Sequence, residues 1–145
     1  MRVPMKVDYG VRALVELASR YGEGPVQTAE IAARQNIPEA YLDQLLTSLN
    51  KYGFIRSRRG PQGGHVLAKN PEELTLGMVM STLEGTAAPI HCIEEPQECS
   101  LYDTCAQRDV WKDLEAAVQS VLKATSIADL SNAQRRLKGH GLYQI

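Results

Sequence analysis

Apolar residues in the first third of the chain repeat at the three- and four-residue spacing that places side chains on one face of a helix. The pattern predicts a first helix over residues 8–21 with Asp8 at its start, and a short second helix over about 28–35. A third helix is opened by Pro38 and ended by Gly53. The apolar positions of these helices are Val11, Leu14, Val15 and Ala18, then Ile31 and Ala32, then Leu42, Leu45, Leu46 and Leu49.

Two short strand-like runs follow the third helix, over residues 54–57 and 65–68. The glycines and the proline of the connector between them predict a hairpin turn. A fourth helix is predicted from Leu76 to about Leu83, and an irregular acidic segment over residues 86–105. A fifth helix then carries a long apolar stripe made of Val110, Trp111, Leu114, Ala117, Val118, Val121 and Leu122.

Composition places the chain among globular proteins, because its 145 residues are 43% hydrophobic and 23% charged. It has no apolar run of the length that spans a membrane or directs export, so we expect a cytoplasmic protein with no membrane partner. A Gly-rich nucleotide loop, a nucleophile elbow and a carboxylate pair are all missing from the sequence, which argues against an enzyme.

The net charge of −1 conceals two segments of opposite sign. Residues 34–69 hold six basic residues against two acidic ones, whereas residues 84–99 hold four glutamates and no lysine or arginine. The basic segment includes the third helix and the hairpin, which is the part of the chain that a nucleic acid would contact.

Three helices followed by a basic, Gly-rich hairpin are typical of a winged helix-turn-helix, whose third helix enters the DNA major groove. Taken separately, the helix fits an ordinary surface helix and the hairpin a solvated turn; their order favours DNA binding. Asp43 could accept a hydrogen bond from a cytosine amino group, and arginines of the wing could neutralise phosphates. The predicted DNA-binding residues are Glu39, Ala40, Asp43, Gln44, Arg56, Arg58, Arg59, Gly63 and Gly64.

The three cysteines, Cys92, Cys99 and Cys105, lie within fourteen residues of one another. Their odd number argues against a disulfide framework, and clustered thiolates suit an iron–sulfur cluster, zinc or copper(I). The gaps between them are too wide for a CxxC motif, so the ligands would lie on a loop. A fourth ligand must come from elsewhere, and the candidates are His91, Asp103, Asp109 and the Asp8 of a second subunit. Zinc with His91 is the main chemical rival, and three incidental thiols are the plain alternative.

Four stretches of the sequence resemble the Rrf-type transcription regulators, a family that includes the iron–sulfur sensors IscR, NsrR and RirA and the repressor CymR. These stretches are MKVDYGVRALVELA, AEIAARQNIPEAYLDQLL, IRSRRGPQGGHVLAKNPEELTLGMVM and ATSIADL. The resemblance implies a mainly α fold with a small β-hairpin wing, a long C-terminal dimerisation helix, a homodimer and a double-stranded DNA operator. It also implies that Ala40, Asp43 and Arg59 occupy DNA-reading positions.

The resemblance further implies an iron–sulfur cluster on Cys92, Cys99 and Cys105. IscR-like members place a histidine three residues after the last cysteine, where this chain has Arg108. NsrR-like members use an aspartate near the start of the first helix, contributed by the partner subunit, and Asp8 matches that position. We therefore expect Asp8 as the fourth ligand and a [4Fe-4S] cluster in preference to [2Fe-2S].

The expected organisation is a DNA-binding domain over 1–85, a cluster loop over 86–108, a dimerisation helix with a C-terminal segment over 109–130, and a tail over 131–145. The expected function is a repressor that senses iron, nitric oxide or redox state through the cluster. The alternatives are a thiol-switch or zinc-containing regulator without a cluster, and an adaptor-type repressor controlled by a partner protein.

Overall fold

Helices form most of the computed structural model, which describes residues 2–85 and 88–142. One antiparallel hairpin, β1–β2, accompanies seven helices in this part of the chain, as the mainly α fold class with a small wing predicts. The elements are α1 Met5–Ser19, α2 Thr28–Gln35, α3 Glu39–Lys51, β1 Ile55–Arg58, β2 Gly64–Leu67, α4 Leu76–Glu84, α5 His91–Glu94, α6 Arg108–Ala124 and α7 Ile127–Leu142.

Helix α1 is the hub of the fold, because it packs against α2, α3, α4 and α7. Its Ala13 and Leu14 are fully buried, and Leu17 is almost so. The predicted leucine face of α3 is buried against this hub, as are Ile31 and Ala32 of α2. The members of the leucine face are Leu42, Leu45, Leu46 and Leu49. Burial of one face of α3 leaves the opposite face to solvent in a fixed orientation.

The turn between α2 and α3 depends on Asn36, which adopts the left-handed conformation with φ of 53°. Asparagine tolerates this region better than most residues, so α2 can end there without a glycine. Ile37 is buried directly after the turn, and Pro38 occupies the N-cap position of α3. The two helices are therefore joined by a short and well-packed connection.

The hairpin is attached to the helical core at its base. Ile55 pairs with Leu67, and both side chains are buried. The strands are each shifted by one residue from the predicted runs, since β1 extends to Arg58 and β2 begins at Gly64.

Helix α1 begins at Met5, three residues before the predicted start at Asp8. The Pro4 carbonyl accepts hydrogen bonds from the backbone N–H groups of Val7 (3.1 Å) and Asp8 (3.0 Å), which adds a helical turn. Proline at this position has no N–H of its own to satisfy. Asp8 thus lies inside the first turn, with its side chain on the helix surface.

The predicted tail over 131–145 is wrong for residues 131–142, because α7 continues to Leu142 despite Gly139 and Gly141. Ile127 is fully buried and Ser131 almost so, and α7 packs along α1. Residues 143–145 lie outside the described residues. The segment 86–105, expected to be irregular, contains α5 and the 3₁₀ turns Pro96–Glu98 and Tyr102–Thr104; Thr86 and Ala87 are not among the described residues.

We predict that Leu14→Ala lowers the free energy of unfolding by about 2–5 kcal/mol, because Leu14 has no exposed surface and the surrounding helices cannot close the cavity. Urea unfolding followed by circular dichroism measures the change. Leu137→Ala is the matched control: Leu137 is 72% exposed, so the same truncation should change stability by no more than about 0.5 kcal/mol. Equal losses in the two variants would contradict this description of the core.

Candidate functional site

One face of α3 is polar and open to solvent. The leucine face fixes the helix from behind, so these side chains are presented on a rigid support. The Thr47 hydroxyl donates to the Asp43 carbonyl (2.9 Å), within the helix itself. The predicted DNA-contacting residues of α3 that the structure places on this exposed face are Glu39, Ala40, Asp43 and Gln44.

The wing presents three exposed arginines, Arg56, Arg58 and Arg59. Among residues 2–85 and 88–142, no ion pair involves any of them. Some other basic residues within 2–85 are paired with carboxylates: Arg34 contacts Glu16 at 3.4 Å, for example. The wing arginines are therefore exposed basic groups that remain available to phosphates.

Glycines of the wing have a structural role within the chain itself. A Cβ on Gly63 would lie 2.1 Å from the Arg58 carbonyl oxygen, and one on Gly64 would lie 2.6 Å from the Val26 carbonyl oxygen. Gly64 also has a φ of +144°, which side-chain-bearing residues rarely adopt. These two glycines close the hairpin and let it contact the loop before α2. This constraint is independent of any approach to a duplex.

His65, on β2, joins three elements and was not singled out by the sequence. Its Nε2 is 2.9 Å from the Thr28 hydroxyl of α2, and its Nδ1 is 2.8 Å from the Ser57 hydroxyl of β1. Partial burial lowers the pKa of the His65 ring, and the charge of Asp43 on α3 opposes that shift. The neutral ring is therefore favoured in the folded protein.

The cysteine segment lies between α4 and α6. Cys92, Cys99 and Cys105 are all free thiols and half-buried. His91 contacts Glu98 at 2.8 Å, and this hydrogen bond raises the pKa of His91. Within the described part of this single chain, no three side chains of histidine, cysteine, aspartate or glutamate come together as a metal-binding group. The structure thus brings the cysteines onto one segment without gathering them around a common centre.

Asp8 is held by Arg12, one helical turn along α1. The guanidinium donates to both carboxylate oxygens (Nε–Oδ1 3.0 Å, Nη2–Oδ2 3.1 Å). Arg12 also donates from Nη1 to the Gln35 carbonyl (3.3 Å) at the end of α2. Arg12 therefore links the Asp8 carboxylate to the end of α2.

Arg108 lies at the start of α6, close behind the last cysteine. Its Nη1 donates to the Tyr102 carbonyl (2.7 Å), and its guanidinium lies over the Tyr102 ring at 4.9 Å. Its Nε donates to Asp109 (3.0 Å), so that candidate ligand is already paired with a cation.

Comparison with known proteins decides the family. Residues 3–133 match Rrf2, described as an iron-dependent transcriptional regulator. The chain belongs to the Rrf2 family. It is 35% identical to the HTH-type transcriptional regulator CymR of Bacillus subtilis, over 91% of each chain. It is 36% identical to IscR of Pectobacterium atrosepticum, over 91% of this chain and 80% of that protein.

Solved structures of relatives have the same fold as this Rrf2 protein. The structure of B. subtilis CymR, described as the global cysteine regulator, has a TM-score of 0.79 at 34% identity, covering 92% of this chain and 98% of that one. T. potens IscR has a TM-score of 0.70 at 32% identity, covering 100% and 92%. The protein is a winged-helix, DNA-binding transcriptional regulator and not an enzyme. None of the helices within residues 2–85 and 88–142 combines the length and the hydrophobicity that a membrane span requires.

The lowered pKa of His65 predicts a pH dependence of stability. The folded protein favours the neutral ring, so the unfolded chain binds a proton at a higher pH than the folded protein does. As the pH falls below the ordinary histidine pKa of 6.5, protonation therefore favours the unfolded chain and the free energy of unfolding decreases. We expect acidification from about pH 7.5 to about pH 5 to destabilise the wild type more than His65→Gln. Urea unfolding at both pH values measures the difference. Parallel pH profiles of the two proteins would contradict the shift.

Proposed function

We propose that this Rrf2 protein is a homodimeric repressor that senses iron, nitric oxide or redox state through an iron–sulfur cluster on Cys92, Cys99 and Cys105. The observation that carries the proposal is the position of all three free thiols on one segment between the winged helix and α6. The family description as iron-dependent regulators and the similarity to IscR support it.

The donor set suits the cofactor chemically. Three thiolates are ligands of the kind that iron–sulfur clusters take in proteins, and a cluster supplies reactivity toward oxidants, nitric oxide and changing iron supply. The surrounding segment can rearrange to gather the sulfurs, because α5 and the two 3₁₀ turns contain no buried residue. Asp8 of a second copy is the fourth ligand that we propose.

The connections of the segment support a route to the DNA-binding face. Cys105 is three residues before the start of α6, so a change at the thiols acts directly on that helix. Asp8 would have to leave Arg12 in order to bind a metal, and Arg12 also holds the end of α2 through the Gln35 carbonyl. Occupation of the site is in this way linked to the helix that precedes the recognition helix α3.

Helix α6 supports the dimer. It has 17 residues, and none of them is buried in the single chain. Its Val110, Leu114 and Val121 are 63%, 41% and 64% exposed, and their spacing places them along one stripe. An amphipathic helix of this length normally buries its apolar stripe, and a second copy of α6 would cover it.

A thiol switch without a cluster is the second candidate. It is favoured by the absence of a gathered metal site within the described residues of one chain. One of the solved relatives is described as an oxidized form of Staphylococcus aureus CymR. In this case oxidation of a cysteine would itself alter the segment. A zinc-containing regulator and an adaptor controlled by a partner protein are further outcomes of the test below.

We predict that the protein purified without oxygen is coloured and contains both iron and acid-labile sulfide. Cys92→Ala, Cys99→Ala and Cys105→Ala should each lose the visible absorbance and most of the iron, because each removes a thiolate ligand. Ser100→Ala, next to Cys99, is the control and should keep both.

The same preparation separates the alternatives. A colourless protein without iron or zinc, whose DNA binding changes on oxidation, would favour the thiol switch; one loaded with zinc would favour the zinc site. Loss of iron in Asp8→Ala, but not in His91→Ala or Asp109→Ala, would support Asp8 as the fourth ligand. Unchanged iron content and DNA affinity in Asp8→Ala would contradict it.

We also predict that Leu114→Asp shifts the protein from dimer to monomer, because a carboxylate would replace an apolar side chain at the centre of the α6 stripe. Light scattering after size exclusion measures the mass. Ser120→Asp adds the same charge at an exposed polar position of α6, and this variant should keep the mass of a dimer. A wild-type monomer at micromolar concentration would overturn the assignment of α6.

A further inference from the structure

We propose that His65 is a positioning residue that holds the wing in register with the helix-turn-helix, so that the wing arginines and α3 meet the DNA together. The proposal rests on DNA binding by this protein and concerns the relative placement of its two DNA-facing parts. It does not depend on the cysteines or on any metal.

The backbone of His65 already joins the wing to the loop before α2. Its N–H donates to the Val26 carbonyl (2.8 Å), and its carbonyl accepts from the Val26 N–H (2.9 Å). Gly64 allows this approach, because any Cβ there would collide with Val26. The backbone pairing joins the wing to this loop at one residue pair, and the Gln27 side chain adds a hydrogen bond to the Pro61 carbonyl (3.3 Å) in the hairpin turn.

The side chain of His65 adds a further constraint, because it hydrogen-bonds to α2 as well as to β1. Nε2 lies 2.9 Å from the hydroxyl of Thr28, the first residue of α2, and Nδ1 lies 2.8 Å from the hydroxyl of Ser57 on β1. The two ring nitrogens point in diverging directions on a rigid plane, so the ring constrains the distance between the two hydroxyls. Hydroxyl groups can donate or accept, and both contacts are satisfied with a neutral ring.

The hydrogen bonds of His65 affect the placement of the charged side chains around it. Ser57 lies between Arg56 and Arg58, so fixing Ser57 fixes the strand from which both arginines project. Thr28 begins the helix that precedes the recognition helix. Asp43 of α3 is the charged group that acts on the ring across this junction. His65 thus lies where α2, α3 and the wing converge: its hydrogen bond to Thr28 links the wing to α2, and its hydrogen bond to Ser57 orients the ring within the hairpin.

The test measures DNA affinity and its salt dependence. The probe is a duplex of about 30 base pairs, selected from a random pool by the wild-type protein, since half-sites of a dimeric helix-turn-helix regulator are about one helical turn apart. We expect His65→Ala to bind this duplex about tenfold more weakly, with a salt slope smaller in magnitude by about 1, because a mobile wing neutralises fewer phosphates. His140→Ala, which removes an exposed histidine of α7, is the control and should bind as the wild type does.

A double-mutant cycle with Arg58→Ala distinguishes positioning from a general loss of fold. If His65 positions the wing, Arg58→Ala should cost much less affinity in the His65→Ala background than in the wild type. Thr28→Val and Ser57→Ala each remove one of the two hydrogen bonds, and should each reproduce part of the effect. Both variants keep the imidazole ring, so they test the proposal even if His65→Ala does not fold.

Three results would overturn the proposal. One is an equal cost of Arg58→Ala in both backgrounds, and another is an unchanged salt slope in His65→Ala. The third is wild-type affinity in both Thr28→Val and Ser57→Ala. A wild-type protein that selects no duplex from the pool would overturn the DNA-binding function as well, which separates the two failures.

Discussion

Helix α1 packs against α2, α3, α4 and α7, and the leucine face of α3 closes onto it. Leu42 and Leu49 have no exposed surface, and Leu46 has almost none, so α3 cannot rotate without opening the core. The polar face of the recognition helix is consequently set by apolar packing on its other side. The wing contacts this support directly, through α1 and α3, and α6 is joined to it through α4.

Two arginines near α1 and α2 form ion pairs with glutamates of the same helices. Arg20 and Arg34 both contact Glu30, and Arg34 also contacts the buried Glu16. The pKa of Glu30 is lowered, chiefly by its hydrogen bond with Arg20, which keeps that carboxylate charged beside the two guanidinium groups. Basic residues of α1 and α2 are thus balanced within the protein, whereas the wing arginines are not. A protein of net charge −1 can in this way direct positive potential at a duplex from one hairpin.

The local sequence pattern was sufficient to predict the elements that form the core. The leucines of α3 and the Gly-rich hairpin were predictable, because periodicity and turn chemistry are properties of neighbouring residues. Helix α7 was not, since Gly139 and Gly141 argue for a tail, whereas in the fold Ile127 and Ser131 are buried and α7 packs along α1. His65 could not have been found by pattern either: its partner Thr28 is 37 residues away, and only the folded structure brings the two together. The grouping of the cysteines was visible in the sequence, but their three-dimensional arrangement was not.

The cysteine segment differs from the core in what holds it. Helix α5 and the 3₁₀ turns bury no residue, and the contacts that order the segment are polar, such as His91 with Glu98 and Arg108 with the Tyr102 carbonyl. Exposed polar contacts of this kind contribute little stability, so bonds from thiolates to a metal centre would outweigh them. In the proposed function, the three thiols of one chain leave one ligand position open, and a second copy would both fill it with Asp8 and cover the exposed stripe of α6. Dimerisation and completion of the site are therefore expected to reinforce one another, since each supplies what the other lacks.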